Sequence, residues 1–435
     1  MKIILFLPNS TGHKNDSFWI KKKKRMAYAP TTLTVLSGLI PKDLNADIRI
    51  IDEGIENIDI DTWDADIVGI SVLTANAPYA YKVADKLRMK GITVVLGGVH
   101  TSLLPDEAFE HADAIVIGFA EKSWPRLLND FSLGKLGKIY KDDGWGEVFQ
   151  SSSLPPLDRS LLKRKRYILP NTLVATRGCY NKCSFCVIPV FNKSKMFQRP
   201  IGCVIDEIKS LSAQNIVFLD SSPTEDIHYS KELMKAMIPL KVKWNGCATT
   251  KILNDDEWLS LAKKSGCRGL LIGFESINQM AVNDNRKKFN NVKRYEELVK
   301  KLHALKIIIL GTFIFGFDQD DKSVFGEILE FVNRAKIDIL HFSIATPFPN
   351  TPFYDRLKNE DRILHQNWEK YDGLHVVFKP QKMTPQQLKE GFLDLHNKAH
   401  SYRSICKRLS GRYNNLGFNL IANWGFRQYG KYMMQ

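Results

Sequence analysis

The feature that most constrains the fold of this chain is an alternation of apolar strands with helices, which occurs twice along the sequence. Within residues 1–135, continuous apolar runs alternate with helical stretches. Apolar strands separated by helices indicate a parallel sheet that is covered on both faces. The amino-terminal part is therefore predicted to be a doubly wound α/β domain. Its predicted strands are 2–7, 46–52, 65–73, 93–100 and 112–118, and its predicted helices are 78–89 and 122–131.

The alternation restarts after a segment of loop composition. Residues 136–170 are predicted to be a linker, because they include the run Ser151-Ser152-Ser153-Leu154-Pro155-Pro156. Six further strand–helix units over residues 171–350 predict a partial (β/α)6 barrel, in which catalytic groups belong at the carboxyl ends of the strands. Residues 351–435 are predicted to be a helical C-terminal region. The predicted barrel strands are 173–176, 216–220, 243–248, 269–275, 307–317 and 339–346.

Three cysteines follow the first strand of this second alternation. Cys179, Cys183 and Cys186 have the spacing C-x-x-x-C-x-x-C, with Phe185 directly before the last of them. Three thiolates this close can bind one soft metal centre and leave one coordination position open. A zinc site would need a fourth ligand at short spacing, but the next cysteine is Cys203 and no C-x-x-C pair follows. The odd total of seven cysteines, with no recognisable secretory leader, argues against disulfides.

This cysteine loop resembles the signature of the radical S-adenosylmethionine (radical SAM) enzymes. The resemblance implies a [4Fe-4S] cluster held by the three cysteines, with S-adenosylmethionine (SAM) bound to the fourth iron and cleaved to a 5′-deoxyadenosyl radical. It also implies SAM contacts from Phe185 and Phe315 to the adenine, from Asp220 to the methionine amino group and from Glu275 to the ribose. From the residues alone, Asp220 could instead cap a helix and Glu275 could pair with a surface lysine.

Two strand ends of the amino-terminal domain carry small residues, in the runs Ser71-Val72-Leu73-Thr74 and Gly97-Gly98-Val99-His100. Small residues at such an edge let a bulky ligand approach the backbone. Ser71, Leu73, Gly97 and Gly98 resemble the S-x-L and G-G elements of cobalamin-binding domains. The family's D-x-H-x-x-G element is missing, since His13 follows a glycine and lacks the aspartate. The resemblance therefore implies cobalamin whose lower face is not held by that histidine.

The layout as a whole resembles the cobalamin-dependent radical SAM enzymes, in particular the subgroup that contains hopanoid C-methylases and related enzymes of lipid and tetrapyrrole metabolism. One departure is the run Gly118-Phe119-Ala120-Glu121, where the family usually reads G-E-x-E. The resemblance implies a C-methyltransferase that acts on an unactivated carbon of a small-molecule or lipid substrate. It also implies an external electron donor such as flavodoxin or ferredoxin.

Two other functions remain open from the sequence. The first is a radical SAM oxidoreductase, cyclase or C–C coupling enzyme that transfers no methyl group. The second belongs to another class and is a non-catalytic metal-binding module on lipid or RNA.

The net charge of +15 is partly concentrated in two places, the run 21–25 and the tail after Asp394, which has no acidic residue. Basic and aromatic residues interleaved in the tail suit an anionic membrane surface or, as a less favoured partner, a nucleic acid backbone. The other interpretation is a tail that folds back on the barrel. No run approaches the length needed to span a bilayer, so we expect a cytoplasmic protein. The tail residues concerned are Lys398, Tyr402, Arg403, Lys407, Arg408, Arg412, Tyr413, Phe418, Trp424, Phe426, Arg427, Tyr429, Lys431 and Tyr432.

Overall fold

The structure, a computed structural model, describes residues 1–9, 26–142, 146–152, 154, 157–411 and 416–433. His13 and the basic run 21–25 lie outside the described residues. Two compact units are present, and both are discontinuous in the sequence. The first unit consists of Met1–Ala175, Val190–Leu211 and Asn367–Asp372, and the second of Thr176–Pro189, Ser212–Gln366 and Gly373–Gln435.

Strands and helices alternate through most of the described chain. The strands are β1 (Lys2–Leu7), β2 (Met26–Tyr28), β3 (Asp47–Asp52), β4 (Ile67–Ser71), β5 (Thr93–Gly97), β6 (Ala114–Ile117), β7 (Ile139–Lys141), β8 (Tyr167–Leu169), β9 (Thr172–Leu173), β10 (Thr176–Gly178), β11 (Met196–Gln198), β12 (Asn215–Phe218), β13 (Lys243–Ala248), β14 (Cys267–Glu275), β15 (Ile308–Phe315) and β16 (Ile339–Ile344). The α-helices are α1 (Thr31–Gly38), α2 (Ala77–Met89), α3 (Val99–Leu103), α4 (Pro105–Glu110), α5 (Ser123–Ser132), α6 (Glu147–Gln150), α7 (Val187–Phe191), α8 (Ile201–Ser210), α9 (Ile227–Met237), α10 (Asp256–Lys264), α11 (Gln279–Asp284), α12 (Tyr295–Ala304), α13 (Val324–Ala335), α14 (Pro352–Asn359), α15 (Pro385–Ala399), α16 (Tyr402–Leu409) and α17 (Leu416–Met433).

The first unit contains a six-stranded sheet in the order β3-β1-β4-β5-β6-β7, and every neighbouring pair is parallel. Successive side chains of a strand point to opposite faces. Phe6 and Ile70 therefore pack into the core that includes α2. Leu5 and Ile67 pack into the core that includes Trp124 of α5. Both faces are covered, and this confirms the doubly wound α/β prediction.

The ends of some predicted strands need correction. The strand predicted at 93–100 ends at Gly97, because Gly98 turns the chain with a φ of 105° and precedes α3, which contains His100. The strand predicted at 65–73 ends at Ser71, and a 3-10 turn over Thr74–Asn76 follows. Within the segment predicted as a linker, β7 adds a strand to the edge of the first sheet.

The second unit contains the parallel strands β12 to β16, which lie side by side in sequence order. One face of this sheet carries the helices. Phe313 packs against Phe331 of α13, and Phe315 packs against Phe392 of α15. Side chains of the opposite parity, such as Thr312, lie on the other face, which we call the open face. The observed strands confirm the predicted second parallel sheet with helices between its strands.

The C-terminal region is helical, and much of it folds onto β16. Arg408 of α16 is fully buried and donates hydrogen bonds to the carbonyl oxygens of Ile337 (2.8 Å) and Asp338 (2.7 Å). Asn423 of α17 donates to the same Asp338 carbonyl oxygen at 2.9 Å. These contacts favour the interpretation of the tail as a segment that packs on the sheet. Among the described helices, none is long and apolar enough to cross a bilayer.

Candidate functional site

The cysteine loop begins directly after β10, which ends two residues beyond the strand predicted at 173–176. Gly178, with a φ of 90°, turns the chain into the loop. Cys179 and Cys183 are buried, and Cys186 is partly buried. The middle of the loop is fixed through Ser184, whose backbone N–H donates to the Asn285 carbonyl oxygen (3.1 Å) and whose hydroxyl donates to Asn285 Oδ1 (2.7 Å). The three sulfurs thus lie on a loop that is tied to the residue following α11.

Burial favours the protonated thiols of Cys183 and Cys186. It raises the pKa of Cys183 to about 11, although the nearby Lys287 ammonium lowers it. Burial likewise raises the pKa of Cys186 to about 12. The Asn181 side-chain amide donates to Cys179 Sγ at 3.4 Å. Because a buried thiolate costs free energy when it has no positive partner, these cysteines suit binding to a cation such as iron.

The arrangement bears on the choice between zinc and an iron–sulfur cluster. Over the part of the chain that the structure describes, no three histidine, cysteine or carboxylate side chains are gathered in a way that could hold a single metal ion. A structural zinc ion needs four ligands that converge on one point. In a four-iron cluster each cysteine binds a different iron, so the sulfurs do not need to converge. Because the loop offers three cysteines, its donor set fits a cluster with one open iron better than a structural zinc ion.

A buried ion pair lies beside the cysteine loop. Glu275, at the end of β14, pairs with Lys287, and both residues are buried. Burial lowers the pKa of Lys287, but Glu275 and the Cys183 and Cys186 sulfurs raise it, and the net shift is upward. A Cβ on Gly273 would lie 2.3 Å from Glu275 Oε1, so only glycine leaves room for the pair.

Glu275 therefore has a partner that the sequence did not identify. From the residues alone, Glu275 could pair with a surface lysine. The lysine that it pairs with, Lys287, is buried. Lys287 belongs to the run Arg286-Lys287-Lys288, whose composition is typical of a solvated surface. Glu275 also accepts a hydrogen bond from Thr312 Oγ1 at 3.5 Å, so its carboxylate reaches the open face.

Asp220 lies just beyond the end of β12, where the sequence placed it, and it is hydrogen-bonded to Thr176. Its Oδ2 atom accepts hydrogen bonds from the backbone N–H (2.7 Å) and the hydroxyl (2.8 Å) of Thr176, and the residue is buried. Thr176 begins β10, the strand that leads into the cysteine loop. Asp220 thus fixes the start of that strand.

The two predicted adenine contacts are placed differently. Phe185 is partly exposed, and its ring lies 5.6 Å from that of Phe317, centroid to centroid. Phe315 is only 1% exposed and packs in the helix-side core against Phe325 and Phe342. The expectation for Phe315 is corrected, because strand parity turns its ring away from the open face. Its neighbour Ile314 has the parity that faces the open side.

In the first unit, the two small-residue strand ends come together. The Val72 backbone N–H donates to the Gly97 carbonyl oxygen at 2.7 Å. A Cβ on Gly98 would lie 2.8 Å from the Val72 carbonyl oxygen and 3.4 Å from Ser71 Oγ, so this glycine permits a close approach of the two segments. Leu73 is 44% exposed beside them. Ser71, Leu73, Gly97 and Gly98 thus form one continuous edge of the sheet.

A partly buried polar cluster next to this edge was not predicted. Glu107 of α4 accepts hydrogen bonds from Tyr81 (3.0 Å) and Trp368 Nε1 (3.0 Å) and pairs with His100 Nε2 (3.1 Å). Burial raises the pKa of Glu107, but these interactions lower it by more, so the net shift of the pKa is downward. The cluster holds the segment Asn367–Asp372 within the first unit. The residues of this cluster are single positions far apart in the sequence, so no sequence pattern predicts that they meet.

The departure at Phe119 also has a structural reason. The Phe119 ring is buried and packs edge-to-face on Phe191 and Phe197, with centroid distances of 5.7 and 5.5 Å. A glutamate here would place a charge in this aromatic cluster.

Comparison with known proteins gives matches to two family models. Residues 173–332 match the radical SAM superfamily, and residues 36–128 match the B12 binding domain. The first range begins just before the cysteine loop and extends into α13. The second contains both small-residue strand ends of the first unit.

Relatives match over nearly the full length. A bacteriochlorophyllide d C-12(1)-methyltransferase of Chlorobaculum tepidum is 33% identical over 90% of this chain and 90% of its own. A bacteriochlorophyllide d C-8(2)-methyltransferase of the same organism is 30% identical over 91% of each chain. Among solved structures, the radical S-adenosylmethionine methyltransferase TsrM from Kitasatospora setae matches with a TM-score of 0.68 at 17% identity, over 90% of this chain and 85% of that one. This last match supports the fold.

Proposed function

This chain belongs to the cobalamin-dependent radical SAM methylases, the family of the bacteriochlorophyllide methyltransferases and hopanoid C-methylases, and on that premise we propose that it is a C-methyltransferase acting on an unactivated carbon of a tetrapyrrole. The observation that carries the proposal is the full-length similarity to a bacteriochlorophyllide methyltransferase. Family membership also establishes a radical SAM enzyme and disfavours the non-catalytic metal-binding module. Of the substrate classes considered, tetrapyrroles are favoured over lipids, because the hopanoid C-2 methylase is only 21% identical over 78% of this chain.

Cys179, Cys183 and Cys186 are the proposed cluster ligands. Their soft sulfurs and apolar burial fit an iron–sulfur cluster, and three ligands leave its fourth iron free for SAM. Asn181 donates a hydrogen bond to one of the sulfurs, which is one way in which proteins tune a cluster's reduction potential. In this family the bound cofactors pass the reducing electron to SAM and supply the hydrogen-abstracting radical and the transferred methyl group. An external flavodoxin or ferredoxin is the proposed source of the electron.

The chain's own residues would then orient SAM. Phe185 offers the exposed part of its ring to the adenine while Phe317 supports the ring from behind. Glu275 remains the proposed ribose contact, and its carboxylate is held by Lys287 and Thr312. Asp220 serves as a positioning residue through Thr176, since its Oδ2 is occupied by two hydrogen bonds. Ile314 replaces Phe315 as the proposed apolar contact of β15.

Cobalamin is the proposed ligand of the first unit, at the edge formed by Ser71, Leu73, Gly97 and Gly98. Gly98 lets the Val72 backbone approach the end of β5 closely, and Leu73 presents an exposed apolar side chain. A large planar cofactor with a nucleotide tail fits an edge of this kind, because it can approach the backbone closely. These features support the assignment without a histidine ligand from the loop after β1.

The decisive experiment follows the methyl group. The full chain is reconstituted anaerobically with iron, sulfide and cobalamin, and then incubated with a reductant, a bacteriochlorophyllide and SAM that carries a deuterated methyl group. We expect one labelled methyl group in the product, together with 5′-deoxyadenosine and S-adenosylhomocysteine. The rival is a radical SAM oxidoreductase, cyclase or coupling enzyme. It would give 5′-deoxyadenosine and an altered product that carries no label.

A second proposal concerns the surface of α17, where Ile421 is 67% exposed beside the exposed Phe418. Together with the basic composition of the tail, this surface suits contact with an anionic membrane. Ile421→Asp should weaken co-sedimentation with anionic vesicles by about 1.5–3 kcal/mol, the free energy of burying one such side chain. Met89→Asp is the matched control, because Met89 is 81% exposed in the first unit. Equal binding by the intact chain and both variants would contradict the proposal.

A further inference from the structure

One histidine of the second unit differs from its neighbours. His341 lies on β16 and is exposed, whereas His396 and His400 are buried in the helix layer. The His400 ring nitrogens lie 2.9 and 3.4 Å from the carbonyl oxygens of His396 and Leu340. Within the described residues no hydrogen bond holds the His341 ring, which packs edge-to-face with Phe426 at 6.0 Å between centroids.

The strand register places His341 on the open face. It lies opposite Thr312 of β15, whose hydroxyl reaches Glu275. Its neighbour Phe342 packs with Phe313 and Phe315 on the helix side, so strand parity turns His341 the other way. His341 therefore belongs to the same face as the Glu275 carboxylate beside the cysteine loop.

The surroundings of His341 favour a neutral imidazole. Neighbouring protein atoms exclude enough water to lower the pKa of His341, although Glu275 acts in the opposite direction. The His341 side chain is exposed, so a ligand on the open face can reach it. A neutral imidazole carries a free lone pair, which is the form that binds metals.

The rest of the open face is mainly apolar. Leu271 of β14 is 37% exposed although it belongs to a central strand. Leu310 and Ile314 of β15 are partly exposed with the same orientation. Gly273 adds no side chain. A flat apolar molecule could lie against this surface and place its centre near His341.

We propose that His341 recognises the substrate by coordinating the central magnesium ion of a tetrapyrrole through an imidazole nitrogen. This inference rests on the proposed function, which names tetrapyrroles as the substrate class. The four ring nitrogens of the macrocycle occupy the equatorial positions of the ion and leave an axial position for a protein ligand, as in haem proteins with a proximal histidine. His341 replaces an axial water, and no proton or electron is transferred. The residue is a specificity determinant for the metallated macrocycle.

The test measures binding, with the full reconstituted chain and two probes, magnesium chlorophyllide a and its metal-free counterpart pheophorbide a. His341→Gln should bind the magnesium form about tenfold more weakly, equivalent to about 1.4 kcal/mol, and bind the metal-free form as the wild type does. Absorption and magnetic circular dichroism should show an imidazole-ligated magnesium in the wild type only. In His341→Gly, added imidazole should restore that spectrum.

The outcomes separate this inference from the function on which it rests. Equal affinities of wild type and His341→Gln for the magnesium form, with the same spectrum, would overturn the role of His341 and leave the methyltransferase proposal intact. If the wild type binds neither probe, the tetrapyrrole substrate class and the role of His341 fail together. An unchanged cluster spectrum in both variants verifies that they are folded.

Discussion

The two candidate cofactor regions of this protein consist of different kinds of chemical group. In the second unit, the cysteine loop and the Glu275–Lys287 pair place thiols and charges in buried surroundings. In the first unit, the edge formed by Ser71, Leu73, Gly97 and Gly98 consists of backbone, one hydroxyl and one exposed apolar side chain. The first arrangement depends on particular functional groups, and the second depends on shape.

This difference predicts different responses to substitution. A ligand or a buried charge acts through its own chemistry, so a single replacement removes the interaction completely and can leave a partner uncompensated. A backbone-built edge is altered only by a substitution that moves the backbone or fills the space above it. The predictions below test this contrast.

The largest effect is expected for Cys183→Ala. Two thiolates cannot hold the four-iron cluster in a redox-competent state, so SAM cleavage should be abolished. Cys406→Ala is the matched control, because Cys406 is exposed and distant in sequence from the loop. The measurement is 5′-deoxyadenosine formed per reconstituted chain, with electron paramagnetic resonance to detect the cluster. Full cleavage by Cys183→Ala would refute the ligand assignment.

The next effect concerns the buried ion pair. Lys287→Met leaves the Glu275 carboxylate buried without its partner, which should lower the free energy of unfolding by about 3–5 kcal/mol. The double variant Lys287→Met/Glu275→Gln should recover much of that loss, since no charge then remains unpaired. Denaturant unfolding of the two single variants and the double variant measures the coupling. Additive effects would mean that the pair is not the source of the stability.

In the first unit, Gly98→Ala should lower stability by about 1–3 kcal/mol, because a side chain is strained at a φ of 105°. Its Cβ would also press on the Val72 backbone, so corrinoid binding should fall while the cluster spectrum stays unchanged. Gly202→Ala is the matched control, since its Cβ would meet no atom within 4 Å. Unchanged corrinoid binding in Gly98→Ala would argue against this edge as the cobalamin site.

The sequence predicted those parts of the molecule that leave a local pattern. Apolar runs of strand length marked both parallel sheets, and the cysteine spacing marked the loop after β10. The small residues at 71–73 and 97–98 indicated a shared edge, and the structure brings them into contact. Each of these signals lies within a few consecutive residues.

Other features depend on which distant residues meet. The sequence placed Phe315 in the correct strand but on the wrong face, because a shift of one residue in strand parity reverses every side chain. The sequence made no prediction for Lys287, because its burial depends on the packing of Glu275 and Gly273 twelve or more positions earlier. Asp220 showed only that a carboxylate follows β12, and not that Thr176 would occupy it.

Asp320 provides a contrast that depends on pH, since its carboxyl is buried in the second unit. Its Oδ2 atom accepts hydrogen bonds from the backbone N–H groups of Gly316 (2.9 Å) and Phe317 (3.0 Å), so it holds the turn that carries the ring behind Phe185. Burial raises the pKa of Asp320 to about 7, despite these two hydrogen bonds. The folded state thus keeps a proton that the unfolded state loses near its ordinary pKa of 3.8.

Stability from Asp320 should therefore be fully present below about pH 4 and decline by about 1.4 kcal/mol per pH unit up to about pH 7. Asp320→Asn accepts the same two hydrogen bonds without titrating, so the difference in unfolding free energy between wild type and variant should show this slope. Asp321→Asn is the matched control. The pKa of Asp321 is lowered by hydrogen bonds from Ser323, so the stability it contributes is lost as the pH falls, the opposite direction. Parallel pH profiles for wild type and Asp320→Asn would mean that this carboxyl stays ionised, and that the second unit tolerates a buried charge held by backbone N–H groups alone.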